Sequence, residues 1–328
     1  MMPAAEVKVN DIQKKPQRVS RWVSLRLNTK ELIKEVWKFK ASYLFLFPFY
    51  VLFILFVIVP VVTSVALSFT YYNVLEPATW TGWSNYKLLF VDDDIFITSL
   101  KNTLYFALVT GPLSFCLAFF FAWLIHQIPM RMRTFYTTVF YVPSLTSGVA
   151  MTVVWLVIFA NDSNGYLNQF LMHFGFIQEP MQWLQDITMI MPVIIIISLW
   201  MSLGTAFLAF LAGFETINPD LYDAGKVDGI RSRIQELWYI TIPSMKPQLL
   251  FGAVLSIVGS FKVGEISKAI AGFPSPLNAG LTVILHLQDY AVLRYEMGYA
   301  SAISVVLFVL IFGAGRLCFR LFQSKGEL

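Results

Sequence analysis

Three charged residues, Lys262, Glu265 and Lys268, fall inside or at the end of a stretch that is otherwise apolar, Leu249 to Ala271. An ionisable side chain in such a setting is costly unless it faces a polar cavity or a partner. Lys262 and Glu265 are three apart on one face of a helix, so mutual pairing is one way to satisfy both. Elsewhere the chain lacks the patterns of chemistry. It has no Gly-x4-Gly-Lys-Ser/Thr phosphate loop, no Gly-x-Ser-x-Gly, no His-Glu-x-x-His and no pair of catalytic carboxylates. No catalytic residue is expected, and ATP is not expected to bind this chain. His126, His173 and His286 share no metal-ligand spacing, and no metal site is expected. Cys116 and Cys318 both sit in apolar stretches, which argues against a disulfide framework or a zinc site.

The other concentration of polar residues is Asn218 to Pro247, between two membrane-length apolar stretches. Asn218 suits a helix cap, Pro219 a first turn, and Asp220 and Asp223 the positive end of a helix. Gly229 stands where such a helix can turn. A second short helix is expected over about Arg231 to Tyr239, with Ile234, Leu237 and Trp238 on one face, and Pro243 is expected to stop it. Two short helices meeting at a glycine make a knob that another protein can grip. An ordinary polar connector is the plainer reading.

These elements are positioned by a membrane-type chain. Hydrophobic residues make up 57% of the 328 and charged residues 13%, about half the charge of a soluble domain. Six apolar stretches are long enough for a hydrocarbon core of about 30 Å: Tyr43–Phe69, Leu100–Ile125, Phe135–Phe159, Met189–Phe214, Leu249–Ala271 and Tyr299–Phe322. Nineteen Lys and Arg fall in the N-terminal tail, the 128–134 loop, the 215–247 loop and the C-terminal end, while the alternate loops hold only Lys87 and Arg294. The positive-inside rule then puts both termini and the knob in the cytosol. The expected fold is therefore an all-α polytopic membrane protein with six transmembrane helices. Residues 1–40 form a cytoplasmic basic tail ending in an amphipathic helix, Glu31 to Lys40, and contain no apolar core of signal-peptide length. Residues 41–323 form the membrane domain, and 324–328 a short cytoplasmic tail. Trp80, Trp83, Trp155 and Trp183 lie near outer boundaries, as an interfacial belt requires. The loop 161–187 carries no Lys or Arg.

The knob resembles the EAA loop of the permease subunits of binding-protein-dependent ABC importers. That pattern reads Glu-Ala-Ala, three residues, Gly, nine residues, Ile-x-Leu-Pro. Here it stands as Asp223-Ala224-Gly225, Gly229 and Ile240-Thr241-Ile242-Pro243. Asp replaces Glu, Gly replaces Ala, Ile replaces Leu, and ten residues rather than nine precede the isoleucine. One extra residue turns a helix by about 100°. A second resemblance, to a Trp…Asn-x3-Gly-x2-Asn element after the third span, rests on Trp155, Asn161, Gly165 and Asn168. A third, to the carbohydrate (maltose and oligosaccharide) branch, rests on Phe261 to Ile266 and on Met297-Gly298-Tyr299-Ala300-Ser301-Ala302, with Gly272-Phe273-Pro274 in place of Gly-Gly-Pro. Together these cover about residues 43–323.

The resemblance implies a permease that couples to a cytoplasmic ATPase through Asp223, Ala224, Gly225, Asp228, Gly229, Ile242 and Pro243, with ATP and Mg held by that ATPase and no cofactor in this chain. It implies a substrate path along Leu255, Gly259, Lys262, Glu265 and Ile266 of the fifth span, with Ser202 and Thr205 opposite on the fourth. A Lys262 not neutralised by Glu265 favours an acidic sugar or an anionic oligosaccharide. The implied partners are a second permease, usually a different chain, two ATPase copies, an extracytoplasmic solute-binding protein received near the 161–187 loop, and lipid, with no nucleic acid. The implied location is a bacterial or archaeal cytoplasmic membrane. The competing reading is an ion-coupled secondary transporter, which calls for inverted repeats and intramembrane carboxylates; Glu265 is essentially the one candidate.

Overall fold

The computed structural model describes residues 37–146 and 148–322. Residues 1–36, which hold most of the expected basic tail and residues 31–36 of its amphipathic helix, and the segment 324–328 lie outside the described residues. The chain divides at Val61 into two compact units. Helix α1, Lys40–Leu67, begins in the first and ends in the second. It widens to a π-turn at Ile54–Ile58 just ahead of Pro60, where the missing proline amide takes one bond out of the ladder.

In the second unit a two-residue ribbon, β1 (Thr70–Tyr71) with β2 (Thr79–Trp80), is antiparallel, with Thr70 opposite Trp80. The helices that follow are α2 (Asp94–His126), α3 (Met130–Leu145), α4 (Gly148–Ile158), α5 (Tyr166–His173), α6 (Ile190–Trp200), α7 (Thr205–Glu215), α8 (Asp220–Val227), α9 (Arg233–Ser244), α10 (Lys246–Phe261), α11 (Glu265–Ala271), α12 (Val283–Leu293) and α13 (Met297–Phe322). Four segments among the described residues are long and apolar enough to cross a membrane: Lys40–Leu67, Asp94–His126, Ile190–Glu215 and Met297–Arg320. A fifth is added if α9 and α10, bent by 84°, count as one span. The stretch Phe135–Phe159 is divided between α3 and α4.

Two expectations need correction. The stretch Leu249–Ala271 is not one helix: it breaks over Lys262–Gly264, where Gly264 takes φ −148° and ψ −64°. Pro243 does not stop its helix either. Helix α9 runs one residue past it, to Ser244, and the sharp bend of 84° comes at Met245.

Helix α2 is the central column, because it contributes to all three buried clusters. Its Phe106 joins Ile190, Ile194 and Val263. Its Ala118, Ala122 and Ile125 meet Phe207, Phe210 and Phe214. Its Phe96 and Ala107 meet Val283, Tyr299 and Ile303. Lipid is as apolar as these side chains, so association depends on close fit rather than on escape from water. Gly252 of α10 shows the fit: a Cβ there would lie 2.2 Å from Cζ of the Phe210 ring. Small residues at 298, 300 and 302 serve the same end. Ala300 and Ala302 are buried, and the Gly298 amide reaches the Tyr72 carbonyl beside the ribbon at 3.1 Å.

Candidate functional site

The breaks in two helical rods face one another. Met201–Gly204 separates α6 from α7, and Lys262–Gly264 separates α10 from α11. Between them, against α2, lies a cavity of about 480 Å³. All seven residues that sequence reasoning assigned to the path line it: Ser202, Thr205, Leu255, Gly259, Lys262, Glu265 and Ile266. The broken backbone is not left unsatisfied at Val263, whose carbonyl accepts from Thr282 Oγ1 at 2.8 Å, as an irregular segment at such depth requires.

The break also decides the fate of the charged pair. On a continuous helix Lys262 and Glu265 would share a face; here the interruption separates them, and they form no ion pair among the described residues. Both are exposed. Both line the cavity.

The remaining polar lining was not anticipated. Thr110 and Ser114 come from α2, Ser198 from α6, and Ser256 and Ser260 from α10. Their i, i+4 spacings (110/114, 198/202, 256/260) were the available signal. Several of these hydroxyls spend their proton on their own helix: Thr110 on the Phe106 carbonyl at 2.8 Å, Ser114 on Gly111 at 3.0 Å, Ser202 on Leu199 at 2.7 Å and Ser260 on Ile257 at 2.7 Å. A hydroxyl has one donor and two lone pairs, so these groups turn acceptors toward the cavity. Ser198 Oγ is buried with no partner. The lining thus suits a ligand rich in O–H donors.

At the far end of α7 stands the knob. Asn218 Oδ1 accepts from the Asp220 amide at 3.0 Å, capping α8 as its residue type suggests. The other end closes with Gly229 at φ +96°, the Ile230 amide on the Gly225 carbonyl at 2.9 Å and the Gly229 amide on Lys226 at 3.2 Å. This is a Schellman closure, which needs a left-handed residue at that position. Helix α9 starts with a reciprocal cap between Ser232 and Gln235. The two helices are joined by Tyr222 Oη and Thr241 Oγ1 at 3.0 Å. Helix α9 contains a π-turn at Leu237–Thr241, a form that occurs as a single-turn bulge inside α-helices.

Of the residues assigned to coupling, Asp223, Ala224, Asp228, Gly229 and Pro243 are exposed. Gly225 is buried instead. A Cβ there would meet Ile240 Cδ1 at 2.7 Å and Ile230 Cδ1 at 3.1 Å, so its smallness serves packing inside the knob. Ile242 is half-buried and packs on the α2–α7 cluster. Asp223 holds Lys226 Nζ at 2.9 Å, and this hydrogen bond and the carboxylate charge push the lysine pKa up. Val227, Ile234, Trp238 and Tyr239 are left exposed.

The 161–187 loop is organised around Asn168, fully buried. Its Nδ2 reaches the carbonyls of Ala160, Asp162 and Met181, and its Oδ1 accepts from the Met181 amide and Trp183 Nε1. Asn161 Oδ1 accepts from the Leu184 amide at 2.8 Å. A Cβ on Gly165 would lie 2.4 Å from the Ala160 carbonyl oxygen. Trp155 stacks on Phe159 and meets Trp200 edge-on. The whole motif is therefore internal scaffolding for the loop.

A helical membrane chain whose broken rods enclose a polar cavity, and whose capped knob hangs from one of them, has the make-up of a transport channel subunit. Residues 114–323 match the family described as binding-protein-dependent transport system inner membrane component, and the chain belongs to that family. It is 33% identical over 273 residues to the probable ABC transporter permease protein YesP of Bacillus subtilis (strain 168), covering 83% of this chain and 86% of that one. It is 29% identical over 293 residues to the arabinooligosaccharides transport system permease protein AraP of the same organism, covering 88% and 90%. Its fold superposes with a TM-score of 0.71 at 23% identity on a chain from the crystal structure of a bacterial ABC transporter involved in the import of the acidic polysaccharide alginate, covering 89% of this chain and 100% of that one.

Proposed function

We propose that this permease forms the translocation path for a sugar or oligosaccharide, acidic ones included, within an ABC importer. The cavity carries the reading. Its hydroxyls offer acceptors to the O–H groups of a sugar, and its volume is in the range of small-ligand sites. Lys262 stands unpaired in it, and a carboxylate on the sugar would find there a charge that Glu265 does not neutralise. The arabinooligosaccharide name of one relative supports the same class.

In this reading six spans cross the membrane with both termini in the cytosol. The knob is the coupling element, and the exposed Val227, Ile234 and Trp238 on it are the surface a cytoplasmic ATPase covers; exposed apolar groups clustered on a polar loop mark such contacts. A solute-binding protein delivers the solute from outside. A second permease, of a different sequence, completes the path, and two ATPases close beneath the pair. Their closure would move the knobs, and the bend at Met245 leads that motion into α10 and the break at Lys262, which gives alternating access. Membership of a binding-protein-dependent family decides against the ion-coupled alternative.

Reconstitution of the chain with its second permease, ATPase and binding protein tests the proposal. Solute-loaded binding protein should stimulate ATP hydrolysis, and Asp223→Arg with Gly229→Trp should abolish the stimulation. Uptake of neutral and uronic oligosaccharides, compared in wild type and Lys262→Gln, then reads the charge preference. Stimulation that persists in the knob variant would sink the coupling assignment.

A further inference from the structure

A second cavity, of about 570 Å³, lies between the end of α2, the end of α7 and the knob. It shares Tyr222, Lys226 and Thr241 with the contacts inside the knob and none of the residues of the translocation path. Trp123, His126, Phe214 and Tyr222 supply its rings, and its charged lining is Lys226, Arg231 and Arg233 with one carboxylate, Glu236. The cations are only partly engaged. Lys226 is bridged to Asp223. Arg233 donates to Gln127 Oε1, a neutral acceptor, and keeps its charge uncompensated. Arg231 forms no ion pair among the described residues. The other end of the Gln127 amide, Nε2, is buried with no partner. Two guanidinium groups without an ion pair and an amide donor without a partner thus belong to residues of one cavity, which they share with aromatic rings and the Glu236 carboxylate.

That combination matches a phosphate ester. Guanidinium groups bind phosphate oxygens in paired hydrogen bonds, the amide supplies a further donor, and the rings suit an ester that is apolar on one side. Basic pockets between transmembrane helices on the cytoplasmic side are suited to anionic headgroups. We infer that this cavity binds a phosphate group, and that a ligand there links the end of α2 to the knob and so stiffens the connection through which the knob moves. The phosphate can come from an anionic lipid of the inner leaflet or from free phosphate. The lipid source rests on the cytoplasmic orientation proposed above, which cysteine accessibility at the knob tests separately.

The experiment uses the full chain assembled with its partner permease and ATPase, in nanodiscs of phosphatidylcholine alone or mixed with phosphatidylglycerol. Native mass spectrometry reads the lipid retained, and calorimetry in the phosphatidylcholine discs reads binding of inorganic phosphate. Wild type should retain phosphatidylglycerol in preference to phosphatidylcholine. Arg231→Gln should weaken that retention about fivefold, the effect of one cation near the surface, and Arg231→Lys, which keeps the charge without the paired geometry, should restore part of it. Arg231 is exposed, and an unchanged melting temperature would show that neither variant acts through folding. If inorganic phosphate binds instead, with the same dependence on Arg231, the site stands and its source is free phosphate. Equal retention by wild type and Arg231→Gln with no phosphate binding would overturn the inference. So would retention by the chain alone that the ATPase abolishes, since the cavity would then belong to a protein interface.

Discussion

The 161–187 loop and the 218–247 knob are both polar connectors of similar length between apolar segments, yet they spend their polar groups in different ways. The first converges on one side chain: Asn168 satisfies backbone on both sides of α5 and takes the indole of Trp183 as well. The second is built from local closures at each helix end, with Asn218, Gly229 and Ser232 each completing its own turn. The hub buries Asn168 itself and leaves its partner Asp162 at the surface. A chain of caps leaves the outer faces of its helices free, and on the knob those faces carry charged and apolar side chains together. The contrast is one of construction, a hub against a chain of caps, since both segments keep large apolar side chains exposed: Phe176 72% and Tyr166 63% in the loop, Val227 88% and Trp238 63% on the knob.

Removing the hub should have the largest effect on stability. Asn168→Ala leaves buried carbonyls, an amide and an indole N–H unpaired, each costing about 1–3 kcal/mol, so a loss of roughly 4 kcal/mol or more is expected in thermal unfolding of the detergent-solubilised chain. A small loss would mean that the loop is not organised by that residue. The opposite profile is expected on the knob. Val227→Asp with Trp238→Asp should abolish co-purification with the ATPase while changing the stability of the isolated chain by less than about 0.5 kcal/mol. Unfolding of that variant would show the knob to be core, not interface.

Smaller effects sharpen the cap side of the comparison. Gly229→Val forces a branched residue into φ +96° and should cost about 1–2 kcal/mol. Ser232→Ala removes one half of the reciprocal cap and should cost about 1 kcal/mol, visible as faster hydrogen exchange at the Gln235 amide with little change elsewhere.

A third polar cluster, outside the spans, gives a pH test. His286 donates through Nε2 to Asp93 at 2.9 Å, and the Phe96 amide donates to the same carboxylate at 2.8 Å. Burial pushes the His286 pKa down, against the pull of Asp93. Burial also pushes Asp93 up, but hydrogen bonds from Tyr299, the Phe96 amide and His286 outweigh it and hold the carboxyl below the usual range. Both groups have lower pKa values folded than unfolded. Their stabilisation is therefore complete above the ordinary value of each, and is lost as pH falls from about 6.5 for the histidine and from about 3.9 for the aspartate. Melting temperature should decline between pH 7 and 5 in wild type, and His286→Gln should flatten that slope. An unchanged slope would remove His286 from the account.

Much of the knob was legible because its signals are local. Asn218 before Pro219 and Asp220, a glycine at 229 and Ser232 three residues before Gln235 each act within one or two turns. The cavity was legible in part. Ser202, Thr205, Leu255, Gly259, Lys262 and Glu265 were identified, while Thr110, Ser114 and Ser256 were not, because nothing local tells which hydroxyls of a long apolar helix face inward. Gly225 was placed at the ATPase surface and lies inside the knob, since smallness alone does not say which neighbour comes close.

The sequence by itself determined that the chain is a membrane protein, where its polar loops fall and how the short helices of the knob begin and end, because hydropathy, charge and capping act between residues close along the chain. The tertiary structure decided that two apolar rods break opposite one another, that Lys262 and Glu265 part company, and that Asn168 and Gly225 turn inward. Those outcomes depend on which surfaces meet across the bundle, and in an apolar medium that choice follows from shape and from long-range hydrogen bonds such as Thr282 to Val263, not from the hydrophobicity of any one segment.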